Sequence, residues 1–175
     1  LYFNFYSGVS GDMLIGSLMD LGVEIDILKK TLSKIDKSLS IKIKDVSRGL
    51  NSCKLVEPLI PKSLDKSYSW DELKKFIEYI KDEDFVYKNS IETIELIEEC
   101  ESEVHESEIT NPHELGNFDT VFDIVCFYKC IEILKIEKLY HSGIPYSQGE
   151  IKISHGNVSS LAPVSLNLIK KLKIP

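Results

Sequence analysis

The middle of the chain carries one imidazole and three carboxylates within eleven residues, at His113, Glu114, Asp119 and Asp123. Imidazole and carboxylate together are a donor set that suits nickel, zinc or iron. Asp119 and Asp123 are four residues apart, so on a helix both carboxylates lie on one face. Two carboxylates on a buried helix carry a desolvation cost unless a metal, a basic side chain or backbone N–H donors compensate it. The pattern is therefore typical of a metal site, but the spacing alone does not choose between these partners.

The segment that must position these carboxylates is an apolar helix. From Val121 to Leu134 the sequence is apolar on most faces, which predicts a buried helix that starts near Asp119. Aspartate is a favoured N-cap residue because its side chain accepts hydrogen bonds from the backbone N–H groups of the first turn. An N-cap at Asp119 and a first-turn carboxylate at Asp123, both stabilised by the helix dipole, would explain the pair without a metal.

A second polar junction lies near the N-terminus. Residues 1–6 are aromatic and apolar and predict a buried strand, and Ser7 to Asp12 predict a tight turn before a helix. Strand, glycine turn and helix form a layout that presents backbone N–H groups to an anion, although the lysine of a P-loop is missing. Asp12 would repel a bare phosphate, so it suits either a cation or the N–H groups of the helix start. A tight turn followed by a helix cap explains this stretch without a ligand, and cofactor binding by Ser10, Gly11 and Asp12 is the alternative.

Apolar periodicity predicts the remaining elements. Helices are expected at 25–35, 70–80, 91–104 and 163–172, and strands at 41–44, 53–60, 138–142 and 150–154. Interspersed strands and helices favour an α/β domain, with α+β as the alternative. The mixed sheet is expected to be covered by helices, and its first strand, apolar on both faces, is expected to be central. A polar stretch at 62–69 is a candidate sub-boundary within a single domain of residues 1–175.

Composition limits the classes of function. The 175 residues carry a net charge of −7, and an acidic chain lacks the basic surface that nucleic-acid binding requires. Apolar residues never form a run of about 18, so no membrane span is expected. The four cysteines, Cys53, Cys100, Cys126 and Cys130, form no C-x-x-C pair. They are interpreted as buried free thiols in a reducing, cytoplasmic compartment, although Cys126 and Cys130 could together face a soft metal.

The stretch from Asn111 to Asp123 resembles the signature of the nickel-insertion proteins that mature the nickel-pincer nucleotide cofactor of lactate racemase. That family has the pattern His-x-His-Glu-x-Gly-x-x-Asp-x-x-x-Asp, in which Asn111 replaces the first histidine. The other defined positions of the pattern match at His113, Glu114, Gly116, Asp119 and Asp123. This is the segment on which the resemblance is most specific.

Further segments carry the same resemblance. Ser7 to Met13 reproduces the family's Ser-Gly-x-Ser-Gly-Asp-Met element, while Asn4 stands where the family has aspartate. A Val-His pair ends at His105, and His155-Gly156 precedes an alanine-proline pair at 162–163, as in the relatives. The resemblance implies that metal is bound by His105, His113, Glu114, Asp119, Asp123 and His155, and nucleotide by Ser10, Gly11 and Asp12. It assigns no catalytic residue, and Asp12 is expected to converge in space with the 113–123 stretch.

The resemblance also implies a function for a whole protein. The chain is similar to CTP-dependent nickel-inserting cyclometallases of the lyase class, which replace hydrogen with nickel on a pyridinium bis-thiocarboxylate mononucleotide. These continue into a C-terminal domain, to which the resemblance assigns catalysis and the binding of CTP with Mg or Mn. Residues 1–175 are therefore expected to form the N-terminal domain of a longer protein and to be inactive alone. The implied partners are the nucleotide precursor, that C-terminal domain and a second copy of the chain.

Two other classes of function remain open. The domain could be a non-catalytic metal- or nucleotide-binding accessory of the C-terminal domain, or a structural oligomerisation domain. Asn4 and Asn111 replace a carboxylate and an imidazole of the family with amides, and the stretch at 62–69 lacks the histidines of the relatives. These departures favour the non-catalytic interpretations.

Overall fold

The computed structural model describes residues 1–6, 8–48, 51–105, 112, 115–145, 150–153, 156–159 and 162–174, with the backbone alone at 48, 51, 105, 150–153 and 156–159. The chain divides into two compact units. The first unit comprises Leu1–Gly8, Glu95–Ile109 and Lys138–Pro175, and the second comprises Val9–Ile94 and Thr110–Glu137. The stretch at 62–69 lies inside the second unit.

The helices of the described residues are α1 (Gly11–Asp20), α2 (Ile25–Ile35), α3 (Trp70–Glu78), α4 (Asp84–His105), α5 (Phe118–Ile133) and α6 (Pro163–Lys171). The strands are β1 (Tyr2–Phe3), β2 (Ser40–Arg48), β3 (Asn51–Leu59), β4 (Tyr140–His141), β5 (Glu150–Ile153) and β6 (Gly156–Ser159). The helix α4 begins in the second unit and ends in the first.

The second unit is built around α5, which lies against α1, α2 and α3. Its apolar sequence explains this position, because the helix buries side chains on most of its surface. The buried side chains of α5 are Phe118, Val121, Phe122, Val125, Cys126, Cys130 and Ile131. A central helix that is buried on most sides holds the start of α5, and the carboxylates near it, in a fixed position.

The hairpin of β2 and β3 covers α1 in the second unit. The two strands are antiparallel, and their register runs from Ser40 opposite Leu59 to Arg48 opposite Asn51. Gly16 lies at the contact, where an added Cβ would overlap the backbone carbonyl oxygen of Lys54. Only glycine therefore permits this approach between the helix and β3.

A half-buried ionic cluster joins three helices of the second unit. The Glu83 carboxylate lies 2.7 Å from the Lys34 ammonium and 2.9 Å from that of Lys129, and Thr31 Oγ1 donates to it at 3.1 Å. Burial opposes the ionisation of Glu83, but the hydrogen bonds from the two lysines outweigh burial and hold the pKa of this carboxyl below its usual value. The cluster ties α2 and α5 to the residue just before α4.

The first unit contains a short parallel strand pair and a helix pair. Tyr2 lies opposite Tyr140 and Phe3 opposite His141. In the second half of α4, Glu99 and Glu103 form ion pairs with Lys171 of α6 at 2.7 and 2.9 Å. These contacts attach the last helix to α4. The strands β5 and β6 form an antiparallel hairpin.

The observed mixture of helices with parallel and antiparallel strands confirms the expected fold class. The expectation of one mixed sheet with the first strand at its centre is wrong for the described residues, whose strands form three separate two-stranded sheets. The strand β1 pairs with β4 alone in that part of the chain, and Tyr2 is 62% exposed. Apolarity predicts a strand but not its partners, because pairing depends on residues far away in sequence.

Candidate functional site

The N-cap of α5 lies two residues earlier than the sequence suggests. It is Asn117, whose Oδ1 accepts a hydrogen bond from the Thr120 backbone N–H at 3.3 Å. The Thr120 hydroxyl donates to the Leu115 carbonyl oxygen at 2.8 Å, which fixes the loop before the helix. The expected N-cap at Asp119 is therefore wrong, because the amide side chain two residues earlier already accepts from the first turn. Asp119 lies in that first turn.

The loop before α5 is also held from outside. The backbone N–H of Tyr68 donates to the Gly116 carbonyl oxygen at 2.7 Å. Phe76 of α3 contacts Phe118 edge to face, with ring centroids 5.1 Å apart. A hydrogen bond and an aromatic contact of this kind fix both the position and the direction of the helix start. The carboxylates of α5 therefore project from a rigid part of the second unit.

The Asp123 carboxylate lies against the first residue of α1. A Cβ added at Gly11 would overlap both the carboxylate oxygens and the carboxyl carbon of Asp123. This approach requires glycine at the helix start. Ser10 is the N-cap of α1 without a capping side-chain hydrogen bond, and its hydroxyl instead donates to the Asp12 carboxylate. The two polar junctions of the sequence thus meet where α1 starts and α5 completes its second turn.

The electrostatics of this meeting point are unfavourable for three anions. Burial, together with the negative charges of Asp119 and Asp12, raises the pKa of Asp123 to about 6. Burial also raises the pKa of Asp119, with a smaller contribution from the charge of Asp65. The structure brings both Asp12 and Asp119 within reach of the charge of Asp123, as the sequence predicts for Asp12. A proton or a cation would relieve this repulsion.

The described donors alone do not complete a metal site. No group of three or more His, Cys, Asp and Glu side chains capable of holding a metal ion occurs within the described part of the chain. Carboxylate oxygens suit Mg or Mn, whereas imidazole suits nickel. His113, Glu114 and His155 lie outside the described residues, and His105 ends α4 in the first unit. Metal binding by these side chains stays a prediction.

The cysteines of α5 are buried thiols, which confirms their interpretation from sequence. Burial raises the pKa of Cys130 to about 12 and that of Cys126 well above its usual value. A thiol must lose its proton to become a strong ligand or nucleophile. Both side chains therefore remain protonated near neutral pH and contribute packing to the helix that positions Asp123.

Sequence reasoning missed Asp65, whose charge acts on Asp119 across the fold. The residue lies in the stretch at 62–69, whose polar composition suggested only a linker. Nothing in the local pattern connects it with α5, since fifty-four positions separate the two aspartates. The hydrogen bond between Tyr68 and Gly116 provides the connection, and it is visible only in three dimensions.

The sequence matches known proteins over nearly the whole length of the chain. The model of a family described as "Nickel insertion protein" matches residues 1–174. The chain is 30% identical to a putative nickel insertion protein of Dictyoglomus thermophilum over 99% of the chain and 46% of that relative. It is 27% identical to the pyridinium-3,5-bisthiocarboxylic acid mononucleotide nickel insertion protein of Acetivibrio thermocellus, over 100% of the chain and 46% of that relative.

A protein of that second name in Thermotoga petrophila is 29% identical, again over 99% of the chain and 46% of the relative. The chain thus spans about half the length of the curated relatives it matches. No solved structure matches it. Among the described residues no helix has the length and apolarity needed to cross a membrane.

Proposed function

Because the chain belongs to the nickel insertion protein family, we propose that it takes part in inserting nickel into a pyridinium bis-thiocarboxylate mononucleotide, as the N-terminal domain of a longer protein. The observation that supports this most is the Asp123 carboxylate beside Gly11, on which the charges of Asp12 and Asp119 both act. Anions held together without a described counter-charge form a place for a divalent cation. Nickel is the substrate metal in this proposal.

The residues of the site take different roles. Asp12, Asp119 and Asp123 contribute carboxylates toward the metal ion but do not form a metal site by themselves among the described residues. In this proposal His113 and Glu114 complete the donor set with the imidazole and the further carboxylate that suit nickel. Ser10 and Gly11, at the start of α1 beside the Asp123 carboxylate, contact the part of the nucleotide that receives the metal. A cation between the carboxylates and the nucleotide offsets their mutual repulsion. His105 and His155 are assigned to metal binding on the family pattern alone.

The chemistry requires a proton acceptor. When nickel replaces hydrogen on the pyridinium ring, a carbon–nickel bond forms, a carbon–hydrogen bond breaks and a proton is released. Asp123 serves as a metal ligand in this proposal, so its carboxylate is not the free base that accepts this proton. The proton acceptor of this cyclometallase reaction of the lyase class therefore belongs to the C-terminal domain.

The remainder of the longer protein completes the reaction in this proposal. The C-terminal domain binds CTP with Mg or Mn and carries the catalytic groups that this chain lacks. Residues 1–175 then form the domain that receives metal and nucleotide. A reaction that uses CTP and a nucleotide precursor places the protein in the cytoplasm.

The test compares the chain alone with the chain fused to the remaining part of the Acetivibrio thermocellus relative. Each protein is incubated with nickel, CTP, Mg and the mononucleotide, and the metallated product is measured by mass spectrometry. We expect no product from the chain alone and product from the fusion. Asp123→Asn in the fusion should lower the maximal rate at least about tenfold, a loss typical of a disturbed metal site, whereas Asp71→Asn on the exposed face of α3 should not. A fusion that turns over equally well with Asp123→Asn would contradict the proposal.

A non-catalytic accessory function is the second candidate. It is favoured by the incomplete donor set of the described residues and by the amides at Asn4 and Asn111. In that case the chain binds nickel or the nucleotide, and Asp123→Asn changes the apparent affinity of the fusion for nickel but not its maximal rate. The same rate measurements at several nickel concentrations separate the two candidates.

A further inference from the structure

A cleft of about 310 Å³ opens on the second unit between α3 and the segment before it. It is called the Tyr68 cleft here, and its walls are formed by Ser63, Leu64, Lys66, Tyr68, Glu72, Lys75, Phe76 and Tyr79. Its volume is at the lower end of the range for small-ligand pockets, about 300 to 1,000 Å³. The cleft can therefore accept a molecule of mononucleotide size, but not a dinucleotide.

Two lysines give the cleft a positive character in an acidic chain. Lys66 and Lys75 are both exposed, and the charges of both help to keep the pKa of Glu72 below its usual value, after the hydrogen bonds from Ser69. Glu72 is committed to the capping box of α3, in which its carboxylate accepts from the Ser69 backbone N–H at 2.8 Å. The lining residues carry two cations and one occupied carboxylate, while the negative charges of Asp36 and Asp65 also act on Tyr68. It is therefore the lysine side of the cleft that favours an anionic group.

Aromatic side chains form the other walls. Tyr68 and Phe76 contact each other edge to face, with ring centroids 5.0 Å apart, and the Lys66 ammonium lies 5.0 Å from the centre of the Tyr68 ring. Tyr79 is 63% exposed at the end of α3. Tyr68 is buried, so the exposed ring of Tyr79 offers the stacking surface and Phe76 forms a fixed wall beside it. A flat aromatic group would use this surface, whereas a simple anion would not.

The Tyr68 cleft adjoins the candidate site. Tyr68 donates its backbone N–H to Gly116, and Phe76 contacts Phe118 at the start of α5. Asp65, whose charge acts on Asp119, lies between two residues that line the cleft. A ligand held in the cleft is thus bound to the same rigid segment that positions the carboxylates.

We propose that the Tyr68 cleft binds an aromatic mononucleotide, with its phosphate at Lys66 and Lys75 and its flat ring against Tyr79 and Phe76. This assignment gives the proposed function a binding place for its nucleotide. It rests on the proposed function in one respect, which is that the nucleotide is identified as the pyridinium precursor. The class of ligand follows from the cleft itself, which pairs cations with aromatic walls. Lys66 and Lys75 are binding residues in this assignment.

The test titrates the full chain with three probes in a calorimeter: nicotinate mononucleotide, its riboside without phosphate, and inorganic phosphate. The double variant Lys66→Gln/Lys75→Gln should bind the mononucleotide at least about tenfold more weakly, since charge-assisted hydrogen bonds to phosphate are lost. The matched control Lys37→Gln/Lys62→Gln removes two exposed lysines outside the cleft and should stay within about twofold of wild type. All four lysines are exposed, so both variants should fold.

A second pair of variants tests whether the aromatic ring of the ligand stacks on Tyr79. Tyr79→Ala should weaken the binding of the mononucleotide and of the riboside by a similar factor of about five or more, because both lose the stacking of their ring. Phe85→Ala, at an exposed aromatic position outside the cleft, should leave the binding of both ligands unchanged. Phosphate alone should bind more weakly than the mononucleotide. Phosphate binding as tight as that of the mononucleotide would overturn the aromatic part of the proposal.

The outcomes separate this inference from the proposed function. No mononucleotide binding by wild type, or equal losses in both double-lysine variants, would overturn the cleft assignment. If the fused protein carrying Lys66→Gln/Lys75→Gln inserts nickel with an unchanged KM for the nucleotide, the cleft assignment fails while the proposed function stands. If binding depends on the two lysines but no fused protein inserts nickel, the proposed function fails while the cleft remains an aromatic-anion site.

Discussion

The ionisation of Asp123 links the candidate site to the stability of the fold. Its pKa of about 6 in the folded state lies above the usual value of 3.8, so folding binds a proton at this group. The associated stability is fully present below about pH 4 and is lost as pH rises through about 6. Above that range the ionised carboxylate opposes folding.

Asp123→Asn should therefore stabilise the metal-free protein at about pH 8 by on the order of 2 kcal/mol, because about two pKa units correspond to somewhat more than that before solvent screening. The gain should vanish toward about pH 4. Urea unfolding at several pH values measures it. Asp71→Asn, whose side chain is 83% exposed, is the control and should change little at any pH. A gain for Asp123→Asn that is independent of pH would mean that ionisation is not its cause.

Position 11 should require glycine because the Asp123 carboxylate fills the space of a Cβ, and not because the backbone conformation there excludes other residues. The atoms that a Cβ at Gly11 would overlap all belong to the Asp123 side chain. Gly11→Ala should cost about 1–3 kcal/mol in the wild type, the usual range for overpacking. In the Asp123→Ala background the same change should cost nearly nothing, and a double-mutant cycle by urea unfolding measures this coupling. Equal costs in both backgrounds would place the constraint elsewhere.

The roles of single residues could be predicted where their contacts are close in sequence, and not where the contacts join distant parts of the chain. The pairing of Asp119 with Asp123 follows from helix periodicity, and the family pattern brought in Asp12. The N-cap was misplaced because both Asn117 and Asp119 have capping side chains, and local propensity does not rank them. Asp65 could not be found, because its influence on α5 depends on folding of the chain between them.

Among the elements, α1 and β3 make a close approach that a single substitution should disrupt. Alanine at a helical glycine normally stabilises by about 1 kcal/mol. Gly16→Ala should instead destabilise by about 1–3 kcal/mol, since its Cβ would overlap the Lys54 backbone carbonyl, which cannot rotate away. Ser17→Ala, at the exposed neighbouring position, should be neutral or slightly stabilising. Thermal unfolding distinguishes the two, and a stabilised Gly16→Ala protein would contradict the observed packing.

The ionic cluster at Glu83 should hold α2, α4 and α5 together. Its carboxylate is only 11% exposed and contacts both Lys34 and Lys129. Glu83→Gln should cost about 1–3 kcal/mol, because two partly buried lysines lose their least exposed counter-charge and keep Asp82 and Glu132. Asp82→Asn removes an exposed partner of Lys34 and should cost under about 1 kcal/mol.

The cost of Glu83→Gln should also depend on pH. The folded pKa of Glu83 is lowered, so its stabilisation is present above the usual value of 4.5 and is lost as pH falls through the folded pKa. Urea unfolding of both proteins from neutral to acidic pH should therefore show their difference shrinking in acid. A difference that grows on acidification would show that this carboxylate is not ionised in the fold.

The helices could be predicted because their signals are local. The capping box at Ser69 and Glu72 and the apolar periodicity of α2 appear directly in the sequence. The sheets could not, because β1 pairs with a strand about 140 residues away and a two-residue strand leaves almost no pattern. An apolar strand without a visible partner was therefore placed at the centre of a sheet that the described residues do not form.

At the level of the whole molecule, the proposed function requires metal binding to be linked to folding. A ligand that binds only the folded chain stabilises it by about 2.7 kcal/mol at a hundred times its dissociation constant. Nickel should therefore raise the Tm of the untagged chain, and manganese should do so less at equal concentration. The shift should be smaller at about pH 5 than at about pH 7.5, because protons compete for Asp123 and for imidazole ligands.

The variants decide whether this linkage acts through the candidate site. Asp12→Asn/Asp123→Asn should lose most of the nickel-induced rise in Tm, since two of the converging carboxylates become neutral amides. Asp26→Asn/Asp71→Asn removes two carboxylates whose side chains are 86% and 83% exposed, and should retain it. Asn111→His restores the imidazole of the family pattern and should enlarge the shift. If nickel raises the Tm of all four proteins equally, the metal binds elsewhere, and the carboxylates serve the packing of α1 against α5.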